Sequence, residues 1–186
     1  MAMVERAPSL MTAPEFARRP DSGELEELVR GRIVLSPPPG VRHGLICGSF
    51  ARLLGNFVAD HDLGHVLSNG SGVITERQPD TVRGADVSYY SYDRLPRGEV
   101  PVGYGIKPPE LVCEVLSPSD RWGDVLQKVG EYLNAGVTVV VVLDPAEKTA
   151  RVFEADRPPS TSGRDDVLRF ERLLPGFEVA VARLFE

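Results

Sequence analysis

The run Val137-Thr138-Val139-Val140-Val141-Val142-Leu143 limits the possible folds more than any other part of the chain. It is almost wholly β-branched, lacks polar alternation, and falls far short of the ~20 apolar residues of a membrane span. Such a run reads as a central strand covered on both faces. Ahead of it, Ser117-Pro118-Ser119-Asp120 is a helix-start signal, a helix follows to about Asn134, and Gly136 ends it. Glu110 to Leu116 is a second apolar strand. Strand, helix and strand over 110–144 predict a right-handed parallel crossover, hence an α/β fold with a mixed sheet and helices on it.

The rest of the chain fits that frame. Gly31 to Leu35 is a short strand, stopped by the turn Ser36-Pro37-Pro38-Pro39-Gly40. Val41 to Asp60 places Leu45, Ile46, Phe50, Leu53, Leu54, Phe57 and Val58 at helical spacing. Residues 65–75 and 85–91 read as strands, followed by a loop rich in Pro and Gly. Residues 1–27 read as an acidic helical lead-in, with Thr12 as N-cap and Pro14-Glu15 in the first turn. Lys148 to Glu154 and Val167 to Leu174 read as later strands around a polar, mobile loop at 156–166. A length of 186 residues suits one domain, with its core over about 24–145 and C-terminal strands and loop over 146–186.

The formal net charge of −6 argues against a general nucleic-acid coat protein. Its distribution is more informative. No Asp or Glu falls between Leu28 and Ala59, where Arg30, Arg32, Arg42 and Arg52 make the stretch basic. A locally basic stretch beside acidic ones suits a phosphate-handling cleft, or simply four solvated arginines. No apolar run is long enough for a membrane, and the N-terminus lacks a signal peptide's basic head and apolar centre, so a cytoplasmic protein is expected. Cys47 and Cys113 lie far apart in apolar segments and read as reduced core residues.

Two acids break this apolar pattern. Asp86 sits within Ala85-Asp86-Val87-Ser88-Tyr89-Tyr90, and Glu114 within Leu111-Val112-Cys113-Glu114-Val115-Leu116. A charge inside an apolar strand costs several kcal/mol unless it is paired or coordinates a metal. Two neighbouring carboxylates repel unless a cation lies between them. With Lys128 one helix-length beyond Glu114, the set can hold Mg²⁺ and activate a water against a phosphodiester. The alternatives are an acid paired with an arginine such as Arg83, and Lys128 as a surface i,i+4 partner of Asp124. The helix carrying Lys128 is expected to bury Trp122, Val125, Leu126, Val129, Tyr132 and Leu133.

Other chemistries find less support. His61-Asp62-Leu63-Gly64-His65 lacks the glutamate and the helical register of a zinc-binding H-E-x-x-H. There is no G-x-S-x-G elbow and no C-x-x-C. A two-carboxylate glycosidase has little to stack sugars on, with one Trp and five Tyr. His43 opens the long helix, where a surface or cap-neighbouring histidine is the plain reading.

A resemblance sharpens these expectations. Glu27-Leu28-Val29-Arg30-Gly31, Leu35-Ser36-Pro37-Pro38-Pro39 with His43 after it, Ala85-Asp86-Val87-Ser88 and Pro109 to Asp120 appear in order. Asp124, Lys128, Tyr132, Gly136-Val137 and Asp144-Pro145 follow. Together they resemble the Uma-two family of restriction-endonuclease-like proteins, within the PD-(D/E)XK nuclease superfamily. The resemblance implies a restriction-endonuclease-like mixed β-sheet flanked by helices. It makes Asp86 and Glu114 metal-binding acids, and Glu27 a supporting acid from the first helix. Lys128 becomes the lysine that has moved from strand to helix, because Leu116 occupies its usual place. Val115 would lend a backbone carbonyl to Mg²⁺, with Mn²⁺ as substitute, and Arg42 and His43 would contact the substrate backbone. The implied protein is a metal-dependent endonuclease on double-stranded DNA, acting as a homodimer. The alternative is an inactive nuclease fold serving as an interaction module.

Overall fold

The computed structural model describes residues 10–20 and 22–186. After a short helix α1 (Ala13–Ala17) come the strands β1 (Leu25–Val29) and β2 (Arg32–Ser36) and the long helix α2 (Val41–Asp60). Strands β3 (Gly64–Glu76), β4 (Thr81–Ser91) and β5 (Leu111–Val115) lead to helix α3 (Trp122–Ala135). Strands β6 (Val139–Asp144), β7 (Thr149–Glu154) and β8 (Arg157–Ser162) follow, then β9 (Val167–Phe170), β10 (Leu174–Ala180) and a final 3₁₀ turn. The main sheet has eight strands in the order β2-β1-β4-β5-β6-β7-β8, with β3 also paired to β4. Only β5 and β6 run parallel, joined by α3 as the crossover expected from the sequence. The fold is therefore mixed α/β, with one large mixed sheet flanked by helices.

β6 is buried on both faces and sorts its residues between two cores. Val139, Val141 and Leu143 face α2, meeting Ile46, Phe50 and Leu54, with Leu168, Phe170 and Phe177 of the β9–β10 hairpin alongside. Val140 and Val142 face α3, meeting Val125, Val129 and Tyr132. This two-sided burial is why the sequence shows a continuous apolar run there rather than an alternation. Gly136 ends α3 at φ 99°, a left-handed cap that a side chain would strain.

The sheet forks at β4. β3 follows β4 along most of its length, so β1 and β5 must share the opposite edge. β1 pairs at Leu28/Val82, and β5 pairs from Val87/Cys113 to Tyr89/Leu111. Between these contacts, Gly84, Ala85 and Asp86 face a gap without a strand partner on that edge.

Several expectations need correction. The lead-in helix ends at Ala17, although Thr12 and Glu15 do form its capping box; residues 1–9 and 21 lie outside the described residues. Glu27 consequently belongs to strand β1, not to a helix. Residues 157–162, expected as loop, form edge strand β8, where Pro158 and Pro159 remove donors that no further strand needs. Helix α3 starts only at Trp122, because Asp120 Oδ2 accepts the Ser117 N–H at 2.7 Å and holds the preceding turn. Trp122 and Leu126 are exposed, with Trp122 lying under the Arg151 guanidinium at 4.5 Å. The buried face of α3 instead includes Glu131, which pairs with a buried arginine.

Candidate metal centre and active site

The fork brings the singled-out acids together through backbone geometry. The Leu116 N–H bonds to the Leu143 carbonyl, and the Glu110 carbonyl accepts the Val139 N–H, so even-numbered β5 residues turn their backbone groups to β6. Odd-numbered residues therefore turn theirs toward β4. The β4–β5 ladder ends at Val87/Cys113, which leaves Val115 without a strand partner on that side. The Asp86 carboxylate fills the vacancy: Oδ2 accepts the Val115 N–H at 2.7 Å. A side chain thus replaces a missing rung, and this fixes Asp86 against β5.

Glu114 projects from β5 toward α3. Its Oε1 accepts the Tyr132 hydroxyl at 2.7 Å, and its Oε2 lies 3.8 Å from Lys128 Nζ. Lys128 also reaches Glu27 Oε1 at 3.0 Å. The ammonium therefore reaches acids of β1 and β5, and among the described residues it makes no ion pair with Asp124. The side chain of Lys128 keeps 28% of its surface exposed, whereas Glu114 keeps 12% and Glu27 10%.

The third acid is neutralised more fully. Glu27 Oε1 also accepts the Gly84 N–H at 3.1 Å, and Oε2 accepts Arg83 Nη1 at 2.8 Å. Arg83 further donates Nε and Nη2 to Glu131, at 2.6 and 2.9 Å, a bidentate buried pair. Arg83 thus serves Glu27 and Glu131 and, among the described residues, pairs with neither Asp86 nor Glu114.

Electrostatics separates the acids. Burial pushes Glu114 up, Lys128 and Tyr132 pull it back, and the neighbouring Asp86 and Glu27 charges raise it; the outcome is about 7. Burial also works against ionised Glu27, but Lys128 and Arg83 outweigh it and hold this carboxyl below its ordinary value. Desolvation opposes the Lys128 ammonium, yet Glu114 and Glu27 leave its pKa raised.

His43 stands at the entrance to α2 with Nε2 3.2 Å from Asp86 Oδ2. Its Nδ1 lies 3.4 Å from Cys47 Sγ. The Asp86 hydrogen bond, with a smaller part from Cys47, raises the imidazole to about 10, so it is charged at neutral pH. Arg42 is exposed and gives Nη2 to the Pro145 carbonyl at 2.6 Å. Cys47 is half-buried at this corner and packs on the edge of the core under α2, while Cys113 is fully buried; both are free thiols.

Sequence reasoning missed Tyr132 as the anchor of Glu114, and Cys47 as a neighbour of His43. A signal existed for each. Tyr132 follows Lys128, and Cys47 follows His43, by four residues, which on a helix puts the two side chains on one face.

Comparisons with known proteins bear on the family and the fold. The family model described as Uma2, "Putative restriction endonuclease", matches residues 13–182. A crystal structure of a "putative nuclease belonging to DUF820" from Anabaena variabilis superposes with a TM-score of 0.82 at 21% identity. The match covers 94% of this chain and 97% of that one. At that identity it establishes the shared nuclease fold. No curated protein matches the chain significantly. A family match over most of its length, joined to a shared fold across almost the whole chain, means that the chain belongs to the Uma2 family of restriction-endonuclease-like proteins.

Proposed function

We propose that the protein is a metal-dependent endonuclease that hydrolyses DNA at the β4–β5 fork. The observation that carries this reading is the pair Asp86 and Glu114 with Lys128 beside it. Asp86 Oδ1 has no hydrogen-bond partner among the described residues, and Glu114 Oε2 meets only Lys128, at 3.8 Å. One oxygen of each acid is thus left for a cation. Glu114, raised by burial and by Asp86, is the group a cation would relieve.

The donor set is all oxygen, which suits Mg²⁺, or Mn²⁺ in its place. Asp86 and Glu114 would hold the ion, and the Val115 carbonyl, on the β4 side of β5, would add a neutral ligand. A divalent ion there lowers the pKa of a bound water and neutralises charge on a phosphate. Tyr132 fixes the Glu114 rotamer, and the Val115 N–H fixes Asp86. Glu27 holds Lys128 in place, and the ammonium stabilises negative charge developing on the phosphate.

Arg30, Arg32, Arg42 and Arg52 are all exposed, with Arg42 beside His43 in the first turn of α2 and Arg30 and Arg32 at the β1–β2 turn. Exposed arginines of this kind suit a phosphate backbone and support nucleic acid, with double-stranded DNA as the favoured form. A two-fold dimer would offer one such corner to each strand. No helix among the described residues is long and apolar enough to cross a membrane.

A second reading, an inactive nuclease fold acting as an interaction module, draws on one observation. Lys128 lies closer to Glu27 than to Glu114, at 3.0 against 3.8 Å. Incubation of supercoiled plasmid with Mn²⁺ decides between them. Nicking that disappears in Asp86→Asn and Glu114→Gln supports the nuclease. Absence of cleavage, with no Mn²⁺-induced rise in melting temperature, removes it.

A further inference from the structure

The proposed nuclease chemistry leaves Cys47 without a task. It stands one turn along α2 from His43, and Gly44 and Gly48 beside them leave open space at the helix surface. His43 lies 3.2 Å from Asp86 Oδ2 and 3.4 Å from Cys47 Sγ. One ligand atom from each of the three residues lies within 4.8 Å of the others, the one such group of three among the described residues. Adjacent donors around a tetrahedral ion with bonds of about 2.0–2.3 Å stand about 3.3–3.8 Å apart. The two contacts of His43 use different nitrogens, Nε2 toward Asp86 and Nδ1 toward Cys47, so a single nitrogen would serve the ion, still within 4.8 Å of a sulfur and a carboxylate oxygen.

We infer that His43, Cys47 and Asp86 form a second cation site, selective for a borderline-soft ion such as Zn²⁺. A thiolate and an imidazole favour zinc, whereas Mg²⁺ prefers oxygen. Three protein ligands leave a fourth position for water. Binding transfers the thiol proton of Cys47 and the imidazolium proton of His43 to solvent as the S–Zn and N–Zn bonds form. Asp86 belongs to both sets, so Zn²⁺ at this site withdraws it from the oxygen pair. That last consequence rests on the proposed nuclease site; the binding itself does not.

Co²⁺ titrated into the full chain without other metals is the test, because a thiolate ligand gives cobalt a charge-transfer band in the near ultraviolet. One equivalent should produce the band and Zn²⁺ should bleach it. Cys47→Ser should abolish it. His43→Gln should weaken cobalt binding by more than about a hundredfold, beyond the loss typical of an outer-shell partner. Glu114→Gln and Cys113→Ser should both retain the band. A titration without the band, or one unchanged in Cys47→Ser, overturns the site. Loss of the band in Glu114→Gln overturns it too, since cobalt would then need the nuclease acids. If Cys47→Ser does not fold, undiminished cobalt affinity in His43→Gln overturns it alone.

Discussion

Two pairs of acids meet at the fork: the buried Glu27 of β1 and Glu131 of α3, and the half-buried Asp86 of β4 and Glu114 of β5. Arg83 lies between the first two, donating to both, and both carboxyls are held below their ordinary value despite burial. The second pair receives hydrogen bonds from Val115 and Tyr132, His43 at 3.2 Å on Asp86 and a longer approach from Lys128, and Glu114 rises to about 7. The first cluster has its charge balanced by the protein itself. The second is balanced less directly, by His43 on Asp86 and by a Lys128 that is shared with Glu27 and stands 3.8 Å from Glu114. The proposed cation would relieve the repulsion left between Asp86 and Glu114.

The largest effects should separate the clusters by what they damage. Asp86→Asn removes a proposed metal ligand, and losing several kcal/mol of electrostatic stabilisation predicts a cleavage rate lower by at least about a thousandfold. Its stability in chelator should fall by only about 1–2 kcal/mol, since the amide oxygen can still accept the Val115 N–H while the partly exposed His43 pair is lost. Arg83→Leu should cost more, about 3–5 kcal/mol, because Glu27 and Glu131 lose their partner. Denaturant titration of both variants beside plasmid nicking checks the contrast. A stable Arg83→Leu, or a strongly destabilised Asp86→Asn, would show that the clusters are alike.

Lys128 touches both clusters and comes next. Lys128→Ala should slow cleavage by about a hundred- to a thousandfold, the usual loss for one positioned electrostatic group. The Mn²⁺ dissociation constant should hold steady or fall, since a nearby cation is lost. Unchanged cleavage rates at saturating Mn²⁺ would assign Lys128 to Glu27 and the structural cluster.

How much of this was legible in the chain follows from the range of each interaction. The β6 run, the boundaries of α2 and the 110–144 crossover are local patterns of period and punctuation, and they appear as expected. Asp86 and Glu114 stood out because ionised groups are costly in apolar strands. Arg83 did not reveal its true partners, since Glu27 and Glu131 lie 56 and 48 residues away and nothing local encodes such a pairing. Glu27 was assigned to a helix because an acidic segment reads alike in a helix and in a strand at the border of a sheet. Helical period alone points Trp122 and Leu126 inward, whereas α3 buries Val125, Val129, Glu131 and Tyr132 and leaves both exposed.

The smallest effect concerns pH, and its sign distinguishes the clusters without any assay of activity. The Glu114 carboxyl has an ordinary value of 4.5 and rises to about 7 in the folded chain. Between those values the folded state binds more protons than the unfolded one, so this group lowers stability as pH rises through the window and leaves it flat above. Glu27 and Glu131 act oppositely: their stabilisation is present above the ordinary value and is lost only as pH falls below it. The His43 contribution, raised from 6.5 to about 10, is present below 6.5 and lost as pH climbs toward 10, overlapping the top of the Glu114 window. Subtracting Glu114→Gln from the parent chain isolates Glu114. In chelator the variant should gain stability over the parent as pH increases from about 4.5 to 7, by up to about 3 kcal/mol at 1.36 kcal/mol per pH unit. Saturating Mn²⁺ should reverse the ranking, because the ion binds the ionised glutamate and stabilises the parent. Chemical denaturation at several pH values, with chelator and with Mn²⁺, measures both. A difference that does not vary with pH, or that Mn²⁺ leaves untouched, would mean that Glu114 is as fully balanced by its protein partners as Glu27 is.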